Sequence, residues 1–195
     1  ILIGNETEHN KVFETGRTDT HEVTGLLKVK PVKDQMTQIE RHYNNPIANQ
    51  ISLDAVDTTF TASLELPNEM TFGSGTPAAT LEGANNIFKI TNVNRTGNKV
   101  VVTIKLVKNY TNYEDLARDI RSVDDDLKVK IGGVKFTDAA VANTNYTMKG
   151  EVGGLFKAKA THTPTGKVVN FNLKWNGKQT ADGADAIAPT DLSKI

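Results

Sequence analysis

Three carboxylates stand in a row at Asp124-Asp125-Asp126, heading the run DDDLKVKIGGVKF. Calcium takes six to eight oxygens, usually from acids at alternating positions with a glycine for the turn. Three adjacent aspartates point in different directions and fit no such loop. They follow a helical pattern, whose C-terminal end disfavours acids, so a solvated loop is the expectation. The pair Asp182 and Asp185 is a weaker version of the same feature. His9, His21, His42 and His162 share no metal-ligand spacing. No nucleophile elbow, P-loop or dinucleotide-binding glycine pattern occurs, and the absence of cysteine removes thiolate ligands, disulfides and a cysteine nucleophile. The residues therefore suggest no catalytic site, no metal and no cofactor. One covalent chemistry is open to a cysteine-free chain, a lysine–asparagine isopeptide bond. Lys28 or Lys30 with Asn170 or Asn172 have the right order for it. That reaction needs a dry site to shift the lysine pKa, whereas the local alternation places all four residues outward.

The lysines carry the other signal. Lys28, Lys30, Lys89, Lys105, Lys128, Lys130, Lys157, Lys159 and Lys174 all fall on the outward phase of strand-like runs, with Glu65 the main acid in that phase. Lysine plus arginine equals aspartate plus glutamate at 23 each, so function must come from where the charges sit. The candidate ligand-binding surface is a basic strand face of Lys105, Lys128, Lys130, Lys157, Lys159 and Lys174, suited to an acidic partner. The competing explanation is solubility, because lysines on sheets deter edge-to-edge pairing.

These side chains are positioned by period-two alternation. Phe60, Ala62, Leu64 and Leu66 share a face, as do Val100, Val102, Ile104 and Leu106, and Val169, Phe171, Leu173 and Trp175. Shorter runs pair Leu27 and Val29 against Lys28 and Lys30, and Leu127, Val129 and Ile131 against Lys128 and Lys130. Turns are expected at NRTGNK, at THTPTGK and at Asn176-Gly177. TNYEDLARDIRSV has helical spacing, with Thr111 and Glu114 as a capping box and Glu114–Arg118 as an i,i+4 pair. KDQMTQIERHY is a second helical candidate. The expected fold is mainly β, an antiparallel sandwich of immunoglobulin-like or adhesin type with one or two short helices. Residues 1–19 are expected to form a flexible flank, 20–180 the module, and 181–195 a linker or the start of a last strand. With no initiating Met and no signal h-region, the chain reads as a piece cut from a longer one.

The segments DAVDTTFTASLELPNEMTF, ATLEGANNIFKITNVNRTGNKVVVTIKLV and YEDLARDIRSVDDDLKVKIGGVKF, within Ile51–Gly177, resemble the streptococcal surface repeat, the SSURE-type fibronectin-binding module of wall-anchored Gram-positive proteins. The resemblance implies an extracellular, β-rich, non-catalytic adhesin unit, monomeric and anchored to the cell wall through regions outside this chain. Its partner would be a host matrix protein such as fibronectin, with a glycosaminoglycan as a further candidate, and neither nucleic acid nor membrane insertion is implied. Two other readings stand beside it. One is a spacer that projects another binding domain. The other is a carbohydrate-binding module, for which Tyr43, Tyr110, Tyr113 and Tyr146 are the candidate platforms because Trp175 is expected inward.

Overall fold

Alternation becomes strand wherever the apolar phase finds a neighbour to cover it. The computed structural model describes residues 2–3, 20–42, 50–141, 144, 146–180 and 186–189. The chain runs through β1 (Leu2–Ile3), β2 (His21–Lys28), α1 (Lys30–His42), β3 (Ile51–Glu65), β4 (Met70–Thr71) and β5 (Ala79–Glu82). It continues through β6 (Phe88–Thr96), β7 (Lys99–Leu106), α2 (Tyr113–Ser122), β8 (Asp126–Phe136), β9 (Lys149–His162), β10 (Lys167–Thr180) and β11 (Ala186–Pro189). The first sheet has the order β1-β2-β8-β4, with β5 also on β8; the second has the order β11-β10-β9-β3-β7-β6. The named pairings are antiparallel. The fold is therefore mainly β, two antiparallel sheets packed as a sandwich with two short helices.

One core joins the layers. Phe60, Leu64, Val100, Val102 and Ile104 from the second sheet are buried, as are Leu27, Leu127, Val129 and Val134 from the first. Phe60 meets Phe88 edge-on, with ring centroids 5.4 Å apart, a favoured aromatic geometry. The expected core residues Leu66, Leu116 and Ile120 are buried, and Ile90 and Leu106 are partly so. The side chains of Phe171, Leu173 and Trp175 lie outside the described residues, although their strand β10 is present. Residues before Ile51 contribute fully: Val23, Leu27, Val29, Val32 and Met36 belong to the same core.

Several local expectations are corrected. Lys30 opens α1 and pairs with Asp34 at 2.9 Å, rather than extending the strand. Pro31 falls at the start of that helix, where its missing N–H costs nothing. Asn176-Gly177 makes no turn. Both residues lie inside β10, with β9 on one side and, at Gly177, β11 on the other, so strand pairing overrides the local preference. α2 is capped by Asn112, whose side chain accepts from Asp115 N at 2.9 Å and donates to Asp115 Oδ2 at 2.9 Å. The capping pair thus sits one residue beyond Thr111 and Glu114. Arg118 is engaged by Asp115 and Asp119. The hairpins at Gly97 and Gly166 form as expected, both glycines taking positive φ.

Candidate functional site

The triple aspartate is divided among three structural duties. Asp124 N–H donates to Gly83 O at 2.9 Å. Asp125 accepts from Lys33 Nζ at 2.8 Å, and the same ammonium donates to the Val123 carbonyl at the C-terminal end of α2. Asp126 starts β8 opposite Lys28. Lys33 holds the Asp125 carboxyl below the usual carboxylate range, through its hydrogen bond first and its charge second. Among the described residues no three metal-ligating side chains cluster. The isopeptide candidates are separated: Lys28 belongs to the first sheet, Lys30 to α1, and Asn170 and Asn172 to β10 of the second sheet.

The candidate basic face is also divided. Lys128 and Lys130 lie on β8 in the first sheet; Lys105, Lys157, Lys159 and Lys174 lie on β7, β9 and β10 in the second. The first-sheet group is offset by acids. Lys130 Nζ is 2.6 Å from Glu82 and 3.9 Å from Glu22. Its hydrogen bond holds the Glu82 carboxyl below its ordinary range, with Lys128 adding to the effect. Glu22 and Glu82 share this region with the lysines, an acidic contribution that strand phase alone left unassigned to either sheet.

The second sheet differs. Lys89 on β6 sits directly opposite Lys105 on β7, and both are exposed. Neither meets an acid among the described side chains. Lys105 is opposite Thr59, which is opposite Leu155, which is opposite Lys174; Lys157 is opposite Asp57 and Asn172. Lys159 is exposed on β9. The side chains of Lys157 and Lys174 lie outside the described residues.

Next to Lys105 the sheet opens. Thr59 pairs with Lys105, and Ser52 pairs with Asn112, so β3 and the chain beyond β7 have equal numbers of residues between these points. No residue of β7 pairs with β3 in between. Leu106 stays opposite Phe88, and Val107 N–H donates to Ile87 O at 2.9 Å, so this chain keeps to β6 while it leaves β3. A bulge in β3 between Leu53 and Ala55 breaks the phase at the same place. The opening measures about 350 Å³ and is lined by Asp54, Val56, Thr58, Lys105, Lys108 and Tyr110, among others.

The departing chain is held by α2. Tyr110 Oη donates to Asp119 Oδ2 at 2.6 Å, and Lys108 Nζ lies 3.8 Å from the same oxygen. Asp119 is buried, and the Tyr110 hydrogen bond, with Lys108 and Arg118 behind it, holds its carboxyl below the usual range. Burial, then Asp119, pushes the Tyr110 hydroxyl well above its ordinary value. Thr58 Oγ1 is buried without a hydrogen-bond partner, on the core-facing side of β3 that Phe60 shares and away from the face of Thr59 and Lys105. None of these residues beyond Lys105 is marked by strand phase or by a motif. The groove depends on where two strands part, which alternation does not encode.

No family model matches the chain, the streptococcal surface repeat included, and no curated protein sequence matches it. Solved structures of Gram-positive pilins are similar to it. The major pilin subunit BcpA of Bacillus cereus is 10% identical with a TM-score of 0.40, covering 88% of this chain and 36% of that one. Domains D2 and D3 of the major pilin SpaD of Corynebacterium diphtheriae are 12% identical with a TM-score of 0.27, covering 81% and 46%. Full-length SpaD is 16% identical with a TM-score of 0.30, covering 81% and 31%. The chain spans less than half the length of each of these pilins.

Proposed function

We propose that this chain is a non-catalytic extracellular module of a wall-anchored bacterial surface protein, and that it binds an acidic face of a host matrix protein, fibronectin being the first candidate. The setting and the ligand class come from the resemblance of Ile51–Gly177 to the surface-repeat family. The working surface is the outer face of the second sheet. The observation that carries this choice is the Lys89–Lys105 pair. Like charges directly opposite on adjacent strands oppose folding, and an acidic partner would relieve that repulsion. In the first sheet Glu22 and Glu82 already serve Lys130, so that face has less to offer an acid. Sugar platforms are less favoured. Tyr43 lies outside the described residues; of the other candidates Tyr113 is buried, Tyr110 and Tyr146 are half-buried, and each of the three hydroxyls is hydrogen-bonded within the chain.

The test is surface plasmon resonance of the chain over immobilised fibronectin, collagen, heparin and albumin at low and physiological salt. Saturable binding to fibronectin that weakens as salt rises, with none to albumin, is the expected result. Binding to heparin alone would replace the protein ligand with a glycosaminoglycan. A folded sample that binds none of these would leave the spacer reading in its place.

A further inference from the structure

We propose that β6, the outer strand of the second sheet, accepts an extended segment of a protein partner as an added strand, and that this segment alternates acidic with apolar residues. The inference deepens the adhesive reading and rests on it for the class of partner. Among the described residues β6 pairs only with β7. Hydrogen-bonded and non-hydrogen-bonded positions alternate along an antiparallel pair. Val107 N–H donates to Ile87 O, so Lys89 turns its main-chain groups toward β7 while Phe88 and Ile90 turn theirs away from the sheet. At the other end the two-residue Gly97-Asn98 turn closes Thr96 on Lys99, which gives Val93 and Arg95 the same outward direction. The extra residue Thr91 is taken up by the bulge between Ile90 and Asn92. No described residue is bonded to the main chain at these four outward positions. An extended peptide carries donors and acceptors at the spacing such an edge requires. The side chains select its character. On the inner face Ile90 and Val93 pack on the core but are only half-buried, and apolar residues beside them would complete that layer. On the outer face Lys89 is exposed, and no acid occurs within Phe88–Leu106. Lys99 has Glu65 opposite it, so the charge without an acid lies at the Lys89–Lys105 end. Lysine on an edge strand deters pairing with a like strand. The same charge that repels a second copy of this edge attracts an acidic segment.

The experiment is an NMR titration with amide hydrogen exchange on the isotope-labelled chain. The probes are a short blocked peptide alternating glutamate with valine, the same peptide with glutamine for glutamate, and the glutamate peptide N-methylated at every residue. The expected result is saturable binding, shifts along β6, and slowed exchange at the amides of Phe88, Ile90, Val93 and Arg95. An added strand protects those four amides; a purely electrostatic contact with the lysines does not. The glutamine peptide should bind about fivefold more weakly, and the methylated peptide should not bind. Lys89→Glu should lose the glutamate peptide and bind the same peptide with lysine for glutamate. Val93→Pro removes a main-chain donor that β7 does not use, and edge strands tolerate proline there. It should abolish peptide and fibronectin binding in a chain that still melts cooperatively. Val93 also packs on the core, and the methylated peptide repeats this test on the unaltered chain. No binding, shifts elsewhere, unprotected amides, or equal binding of the methylated peptide would overturn the added strand. Protection of the same amides that grows with protein concentration alone would give the edge to a second copy and overturn the partner. Fibronectin binding that survives Val93→Pro but not reversal of Lys89 and Lys105 would sink the added strand and leave the adhesive reading intact. Glutamate-peptide addition by a chain that ignores fibronectin would do the reverse.

Discussion

Asp119 shows how one buried carboxylate can shape a surface. Tyr110, Lys108 and Arg118 surround it, and its depressed pKa fixes the sign of its pH effect. A carboxyl held below its unfolded value stabilises the fold at pH above that unfolded value, about 4, and loses this contribution as pH falls through its folded pKa. Asp119→Asn is therefore expected to lower stability by about 1–3 kcal/mol at neutral pH and to flatten the acid limb of a melting-temperature profile. Thermal melts from pH 3 to pH 7 check this; parallel profiles for both proteins would refute it. Lys89→Glu tests the neighbouring face. Replacing a like-charge cross-strand pair by an opposite one should leave stability unchanged or raise it by up to about 1 kcal/mol, as measured by urea unfolding. A clear loss of stability would show that Lys89 has a structural duty.

Elements set where these residues stand, and two of their boundaries are testable. Asn112→Ala removes the cap of α2 and should cost about 1 kcal/mol. Thr111→Ala should cost much less, because the cap lies one residue further on. The connection between β5 and β6 turns at Gly83, with φ of +88°, and a Cβ there would stand 2.7 Å from Asp124 Oδ2. Gly83→Ala should therefore destabilise by roughly 1–3 kcal/mol, read by chemical denaturation; a neutral effect would contradict this account of the turn. The strands around Phe60, Val102 and Val129 were legible because one buried face imposes strict alternation. Both helices were legible from their spacing. The failures share a cause. The positions of Lys30, Asn176-Gly177 and the α2 cap depend on neighbours that a local window does not contain. Lys30 meets Asp34 on its own helix, and Gly177 lies between two strands.

At the scale of the whole molecule, the division of lysines between two sheets matters more than their number. A chain with no net charge carries a first sheet in which Lys130 is matched by Glu82 and Glu22. Its second sheet sets Lys89 against Lys105 beside an opening that Lys108 also lines. Phase alone showed that the lysines point outward; only sheet order shows which of them stand together. The groove was not legible at all, since it forms where the chain after β7 follows β6 and α2 away from β3. The most direct test of the account compares fibronectin affinity between two charge-reversed variants, Lys89→Glu with Lys105→Glu and Lys128→Glu with Lys130→Glu, each verified as folded. The second-sheet variant should lose about tenfold or more in affinity, with the salt dependence reduced, while the first-sheet variant stays within about twofold. Equal losses, or a loss confined to the first-sheet variant, would contradict the assignment of the working face.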